Sequence, residues 1–145
     1  VCVLRTGLVL DRSSGLLGRL LPIFRLGLGG RVGSGRQWMP WIHLEDEVGL
    51  LLWALDHDVH GTVNATAPNP VRNGEFTRTL ARTLRRPALF PVPRAALALV
   101  FGSELAAVLV ASQRALPARA LQEGYRFRWP DLDGALGHLV GRSRR

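Results

Sequence analysis

The sequence contains no lysine: all 19 of its basic residues are arginine. That removes several chemistries from this chain. It has no Schiff-base lysine, no P-loop lysine and no Tyr-x-x-x-Lys dyad. Cysteine occurs once, at Cys2, which excludes a disulfide framework and any multi-cysteine zinc or iron–sulfur site. Long apolar runs are also missing. The longest stretch, Ala95 to Ala111, is interrupted by Gly102, Ser103 and Glu104, so no membrane-length span is expected. With one cysteine and no such span, the expected compartment is the cytoplasm.

The apolar share, 47% of 145 residues, is that of a folded protein and suits one domain. The chain opens on Val1-Cys2-Val3-Leu4-Arg5 rather than Met. Val1 to Thr6 has no polar face and reads as a buried parallel strand. Leu16, Leu17, Leu20, Leu21 and Phe24 recur at helical spacing, with Pro22 as a break or kink. Gly27 to Gly35 is glycine-rich loop, and Trp38 to Leu44 is extended. Glu45-Asp46-Glu47 opens a helix with Val48, Leu51, Leu52 and Leu55 along one stripe, ending near His57. A strand over Gly61 to Ala65 and a helix over Arg72 to Arg86 follow.

Pro87 to Pro93 is the sharpest break in composition. Beyond it come an Ala/Leu helix pair around Gly102-Ser103, a short helix after Pro117, an extended Arg126 to Trp129, and a last helix over Asp131 to Val140. The Arg142 to Arg145 tail is expected to fray. Strands and helices alternate, so the fold class is α/β. Only one buried strand and one later strand are available, so the chain reads as the back half of a longer one.

Several segments are candidate sites. The glycine run offers backbone N–H groups for a phosphate beside Arg31 or Arg36, or else it is a loop bordering a cleft. No helix pattern follows it, as a dinucleotide loop requires. His57-Asp58-Val59-His60 holds too few ligands for a metal site and suits a helix end. No metal site and no catalytic residue are expected. Trp41 and His43 share one side of an extended segment, either lining a cleft or serving as a core tryptophan with a hydrogen-bonded histidine. Tyr125, the only tyrosine, reads as packing. The net charge of +8 raises nucleic acid as a partner, but the arginines are scattered. Only Arg78, Arg82, Arg85 and Arg86 and the C-terminal tail concentrate them. No specific nucleic-acid binding is expected, and weak binding would be salt-sensitive.

Taken together, Leu4-Arg5-Thr6-Gly7-Leu8-Val9-Leu10, Gly27-Leu28-Gly29-Gly30, Gly33-Ser34-Gly35-Arg36-Gln37-Trp38 and Trp41-Ile42-His43-Leu44-Glu45-Asp46 resemble one family. Gly61-Thr62-Val63-Asn64-Ala65-Thr66-Ala67-Pro68, Arg86-Pro87-Ala88-Leu89-Phe90-Pro91-Val92-Pro93, and Leu116-Pro117 leading to Gly124-Tyr125-Arg126-Phe127 continue the likeness. Order and spacing are similar to the C-terminal half of the NAD(P)-binding epimerase family proteins. These belong to the extended short-chain dehydrogenase/reductase superfamily and are loosely called SulA homologs.

The resemblance implies an NAD(P)-dependent, nucleoside-diphosphate-sugar-epimerase-like oxidoreductase acting on a small molecule. The fold would be a partial Rossmann-type sheet, late strands only, plus a smaller α+β substrate domain: residues 1–66 would end the cofactor-binding domain, with a substrate-domain segment at about 12–43 interleaved. Residues 67–145 would form a family-specific C-terminal domain of unknown function. Thr6, Gly7 and Leu8 would approach the nicotinamide of NAD or NADP. Arg36, Gln37, Trp38, Trp41 and His43 would line the substrate side. The chain alone is expected to be inactive and to bind no cofactor, because the glycine-rich cofactor loop and the Tyr/Lys pair are missing from it. It also departs from the Gly-x-Gly-x-Gln-x-Arg pattern of nucleotide-sugar members. Met39 stands where an arginine would clamp a diphosphate, with Arg36 as a partial substitute. The alternative is a non-catalytic interaction module that self-associates through Ala95 to Ala111.

Overall fold

The computed structural model describes residues 1–112 and 114–140. The Arg142 to Arg145 tail lies outside the described residues. The elements in order are β1 (Cys2–Thr6), β2 (Leu8–Leu10), α1 (Gly15–Arg25), β3 (Trp38–Met39), β4 (Trp41–His43), α2 (Leu44–Asp56) and β5 (Gly61–Ala65). They continue with β6 (Val71–Arg72), α3 (Asn73–Leu84), α4 (Arg94–Phe101), α5 (Ser103–Val110), α6 (Ala118–Gln122) and α7 (Leu132–Val140). The mixed α/β architecture with short parallel pairs agrees with the sequence pattern. No helix of the described residues is long and apolar enough to cross a membrane.

β1 runs parallel to β5, pairing Leu4 with Val63 and Thr6 with Ala65. β2 runs parallel to β4, pairing Leu8 with Trp41 and Leu10 with His43. The chain therefore changes partner between Thr6 and Leu8. At the change, Gly7 N–H donates to Ala65 O at 3.0 Å and Leu8 N–H to Pro40 O at 2.6 Å. A Cβ at Gly7 would run into the Pro40 carbonyl oxygen, so this crossing needs glycine. Pro40 separates the extended Trp38 to Leu44 stretch into β3, which pairs antiparallel with β6, and β4.

Two apolar clusters result. One holds Ile42, Leu50, Val63 and Ala65, with Cys2, Leu4 and Val9 against it. The larger gathers Leu17 and Phe24 of α1, Met39, Trp41, Phe76 and Leu80 of α3, Leu97, Leu109 and Leu136. α1 runs through Pro22, whose missing N–H leaves Gly18 O without its helical donor. α3 ends on Arg85 in the left-handed region (φ 56°), whose N–H caps Ala81 O.

Two expectations are corrected. β1 is parallel but not fully buried: Val3 is 51% exposed, because β5 is its one pairing partner among the described residues. Arg126 to Trp129 forms no strand. Its amides are taken instead by a carboxylate. Asp46, 1% exposed, accepts from Arg128 N and Trp129 N, each at 2.9 Å, and from Tyr125 Oη at 3.1 Å. The Tyr125 ring can reach it because Gly49, one turn along α2, has no Cβ to block the phenol.

Candidate functional site

The carboxyl end of β1 is where the strand changes partner, and open α/β sheets bind ligands at such points. A cavity of about 240 Å³ lies there. Thr6, Gly7 and Leu8 line it from one side, and Trp38, Met39 and Pro40 from the other. Val108 and Ala111 of the α5 end close it. The Arg72 and Arg114 guanidiniums stand over the Trp38 ring, 4.9 and 5.3 Å from its centroid. Beside Thr6, Glu47 accepts the threonine hydroxyl at 2.8 Å, while its second oxygen is buried without a partner. Burial pushes the Glu47 carboxyl above the usual range, the Thr6 hydrogen bond opposing it.

Arg36 and Gln37 line an adjoining cavity of about 270 Å³ with Gly33, Ser34 and Ser112. The Gln37 amide nitrogen donates to Val32 O at 3.1 Å and Leu109 O at 3.2 Å, so both of its hydrogens are spent on tying the glycine run to α5. Three amides in the second half of the run are committed too. Val32 N–H donates to Asn73 Oδ1, Gly33 N–H to Val92 O and Gly35 N–H to Val32 O. These bonds fix the conformation of the run between α1 and α3. Met39 is buried and apolar.

Trp41 and His43 are not brought to either cavity. Trp41 is buried in the larger core, its indole N–H donating to Asn69 O at 3.0 Å. His43 caps α2: its Nδ1 accepts from Glu45 N at 3.0 Å. Its Nε2 lies 2.9 Å from His138 Nδ1, and the Trp129 ring stacks on both imidazoles. Trp129 Nε1 donates to Glu45 Oε2 at 2.8 Å, which holds the Glu45 carboxyl below the usual range.

His43, Glu45 and His138 converge closely enough to suggest a metal centre. The tautomer argues against one. Because His43 Nδ1 is an acceptor, its proton sits on Nε2 and points at His138. A metal on Nε2 would leave the ring without a proton or break the cap. His57 and His60 behave as a helix end: His57 Nδ1 lies 2.9 Å from Trp53 O, and His60 meets Asp58 at the surface. Sequence reasoning missed Val108 in the cavity wall, Arg72 and Arg114 over Trp38, and Glu47 on Thr6. They lie in separate parts of the chain, and no local pattern links them to Thr6.

The comparisons agree with this architecture. Residues 92–139 match the family described as a domain of unknown function, DUF1731. The human epimerase family protein SDR39U1 is 45% identical over 139 residues, 95% of this chain and 47% of its own length. A crystal structure of that human protein, isoform 2, with NADPH superposes with a TM-score of 0.89 at 43% identity, covering 96% of this chain and 48% of the human one. The nucleoside-diphosphate sugar epimerase of Corynebacterium glutamicum superposes with a TM-score of 0.74 at 30% identity, over 97% of this chain and 26% of that one. The chain thus spans about half the length of the curated relatives it matches.

Proposed function

This chain belongs with the epimerase family proteins, matching about half their length, and on that footing we propose that it forms the substrate-side wall of an NAD(P)-dependent, epimerase-like oxidoreductase. One observation carries the reading. Thr6, Gly7, Leu8 and Trp38 line a single cavity at the change of strand partner. Thr6 to Leu8 face the nicotinamide end of the cofactor there. Trp38, with Arg36 and Gln37 next to it, faces a small-molecule substrate. Trp41 and His43 act from behind this wall, by fixing the strand that carries it.

The parent protein, in the cytoplasm, moves a hydride at a secondary alcohol or carbonyl. This chain contributes no catalytic residue. In this reading residues 1–66, apart from about 12–43, build the cofactor side, and 67–145 complete the substrate side, although Ala120, Tyr125 and Phe127 pack into the same apolar cluster as Val63. Alone, the chain has no lysine and spans about half the length of its relatives, so it binds neither NAD nor NADP and is inactive.

Isothermal titration of the 145-residue chain with NADPH tests this. No binding heat is expected. Fusing the cofactor-binding half of the human relative in front of Val1 should restore binding. Micromolar affinity of the chain alone, or a fusion that folds and stays silent, overturns the proposal. A second reading, an interaction module, is favoured by the α4–α5 pair, where Leu99 is 88% exposed beside exposed Val100 and Val108.

A further inference from the structure

A larger cavity, about 300 Å³, lies between α1, α3 and α4, on the far side of Met39 from the β1 end. Its walls are Leu20, Phe24, Val32, Leu97, Val100 and Phe101, among other apolar groups. No charged side chain lines it among the described residues. Two lining side chains carry polar atoms, Asn73 and Thr77, and each is 4% exposed.

Asn73 is the informative one. Its Oδ1 accepts from Val32 N at 2.6 Å, which fixes which end of the amide is oxygen. Its Nδ2 therefore carries two hydrogens toward the cavity side. Their one contact is the Met39 thioether at 3.4 Å. Sulfur there is a weak acceptor, and one sulfur cannot satisfy two hydrogens. Buried amide donors are normally paired with oxygen. The Thr77 hydroxyl makes only a 3.5 Å contact with Gly30 O.

We propose that this cavity binds a small, mainly hydrocarbon molecule bearing one oxygen acceptor, a ketone or ether, whose oxygen takes the free Asn73 N–H. The volume falls at the lower end of small-molecule sites, roughly 300–1,000 Å³, and such sites pair an apolar lining with a few placed polar groups. The lining excludes other classes. A carboxylate or phosphate would meet no cation. A sugar would bury several hydroxyls against Leu and Phe with no partner. The site is independent of the cofactor reading, since it lies wholly within this chain.

Met39 is the only methionine, so methyl-labelled protein gives one methionine signal, in the wall this cavity shares with the one at the β1 end, and a substitution in α4 tells the two apart. Titrating the 145-residue chain with 2-nonanone should shift that signal saturably. Nonanoate and UDP-glucose at equal concentration should leave it in place. n-Octane should bind about tenfold more weakly than the ketone, the loss of one hydrogen bond to a buried donor. Ala96 lines the cavity from α4, and Ala96→Trp, if its circular dichroism is native, should abolish the ketone shift. Absence of a saturable shift in the unsubstituted chain overturns the proposal, as does an undiminished shift in folded A96W. Octane binding as tightly as the ketone overturns the role of Asn73, and tighter binding of nonanoate or UDP-glucose overturns the ligand class.

Discussion

Asp46 shows how far a single residue can depart from its local pattern. In the sequence it is one of three acids opening a helix, and it does lie in the first turn of α2. Its carboxylate, however, turns inward and receives two backbone amides and a phenol from residues 79 to 83 positions away. Asp46→Ala would leave Arg128 N–H and Trp129 N–H without an acceptor. Orphaned buried donors are costly, so the variant should lose about 3 kcal/mol, read as a lower urea midpoint. Tyr125 gives a second readout, because it is the only tyrosine. Burial, then the Asp46 charge, pushes its phenol well above the usual value of 10.0. Asp46→Asn removes the charge and turns one of the two acceptor oxygens into a donor, so the tyrosinate absorbance should appear at a lower pH while staying above that of a free phenol, at some cost in stability. None of this was legible in advance: an acid at a helix start is satisfied by its own backbone in most sequence readings, and only the fold brings Arg128 to it.

The helices were legible and the strands less so. α1, α2, α3 and α7 follow from apolar spacing, and the α4–α5 pair from the Gly102-Ser103 interruption. The failure at Arg126 to Trp129 has a physical cause: alternating aromatics describe a half-buried extended segment equally well whether a strand or a carboxylate takes its amides. The junction of α2 and α7 was likewise invisible. There His43 caps α2 and its Nε2–H points to His138 on α7, with Glu45 4.0 Å from the far nitrogen of His138. Arg128 approaches Glu45 at 3.6 Å, and Asp46 and Asp11 add negative potential nearby. Burial lowers the His43 pKa below its ordinary 6.5, the Glu45 charge opposing it. The unfolded chain therefore binds a proton that the folded chain refuses. The stabilisation from neutral His43 is complete above pH 6.5 and is lost as the pH falls from there toward the lowered value. Thermal unfolding should show the midpoint dropping on acidification through this window. His43→Asn keeps an acceptor for Glu45 N and cannot titrate, so its midpoint should fall less steeply.

At the scale of the whole molecule, exposed apolar side chains form more than one patch. The outer stripe of α2, the very residues whose spacing marked the helix, faces outward: Leu55 is 78% exposed, with Leu51 and Leu52 also exposed and Val3 of β1 nearby. The sequence showed an apolar stripe and could not show what covers it, since a stripe looks the same whether its partner is in the chain or not. β1 adds to this, pairing on one side only among the described residues. A two-stranded parallel pair with an apolar face is a poor stopping point for a sheet and a ready surface for association. The 145-residue chain should therefore self-associate as its concentration rises, with light scattering giving a mass above 15.9 kDa. The surface responsible is identified by paired substitutions. Leu51→Glu with Leu55→Glu should return the chain to a monomer, because the α2 stripe and the β1 edge are continuous. Leu99→Glu with Val108→Glu, on the α4–α5 pair, should reduce association less. The reverse order of effects would assign the contact to Ala95 to Ala111 and favour the interaction module. A clean monomer before any substitution would remove both surfaces as association sites.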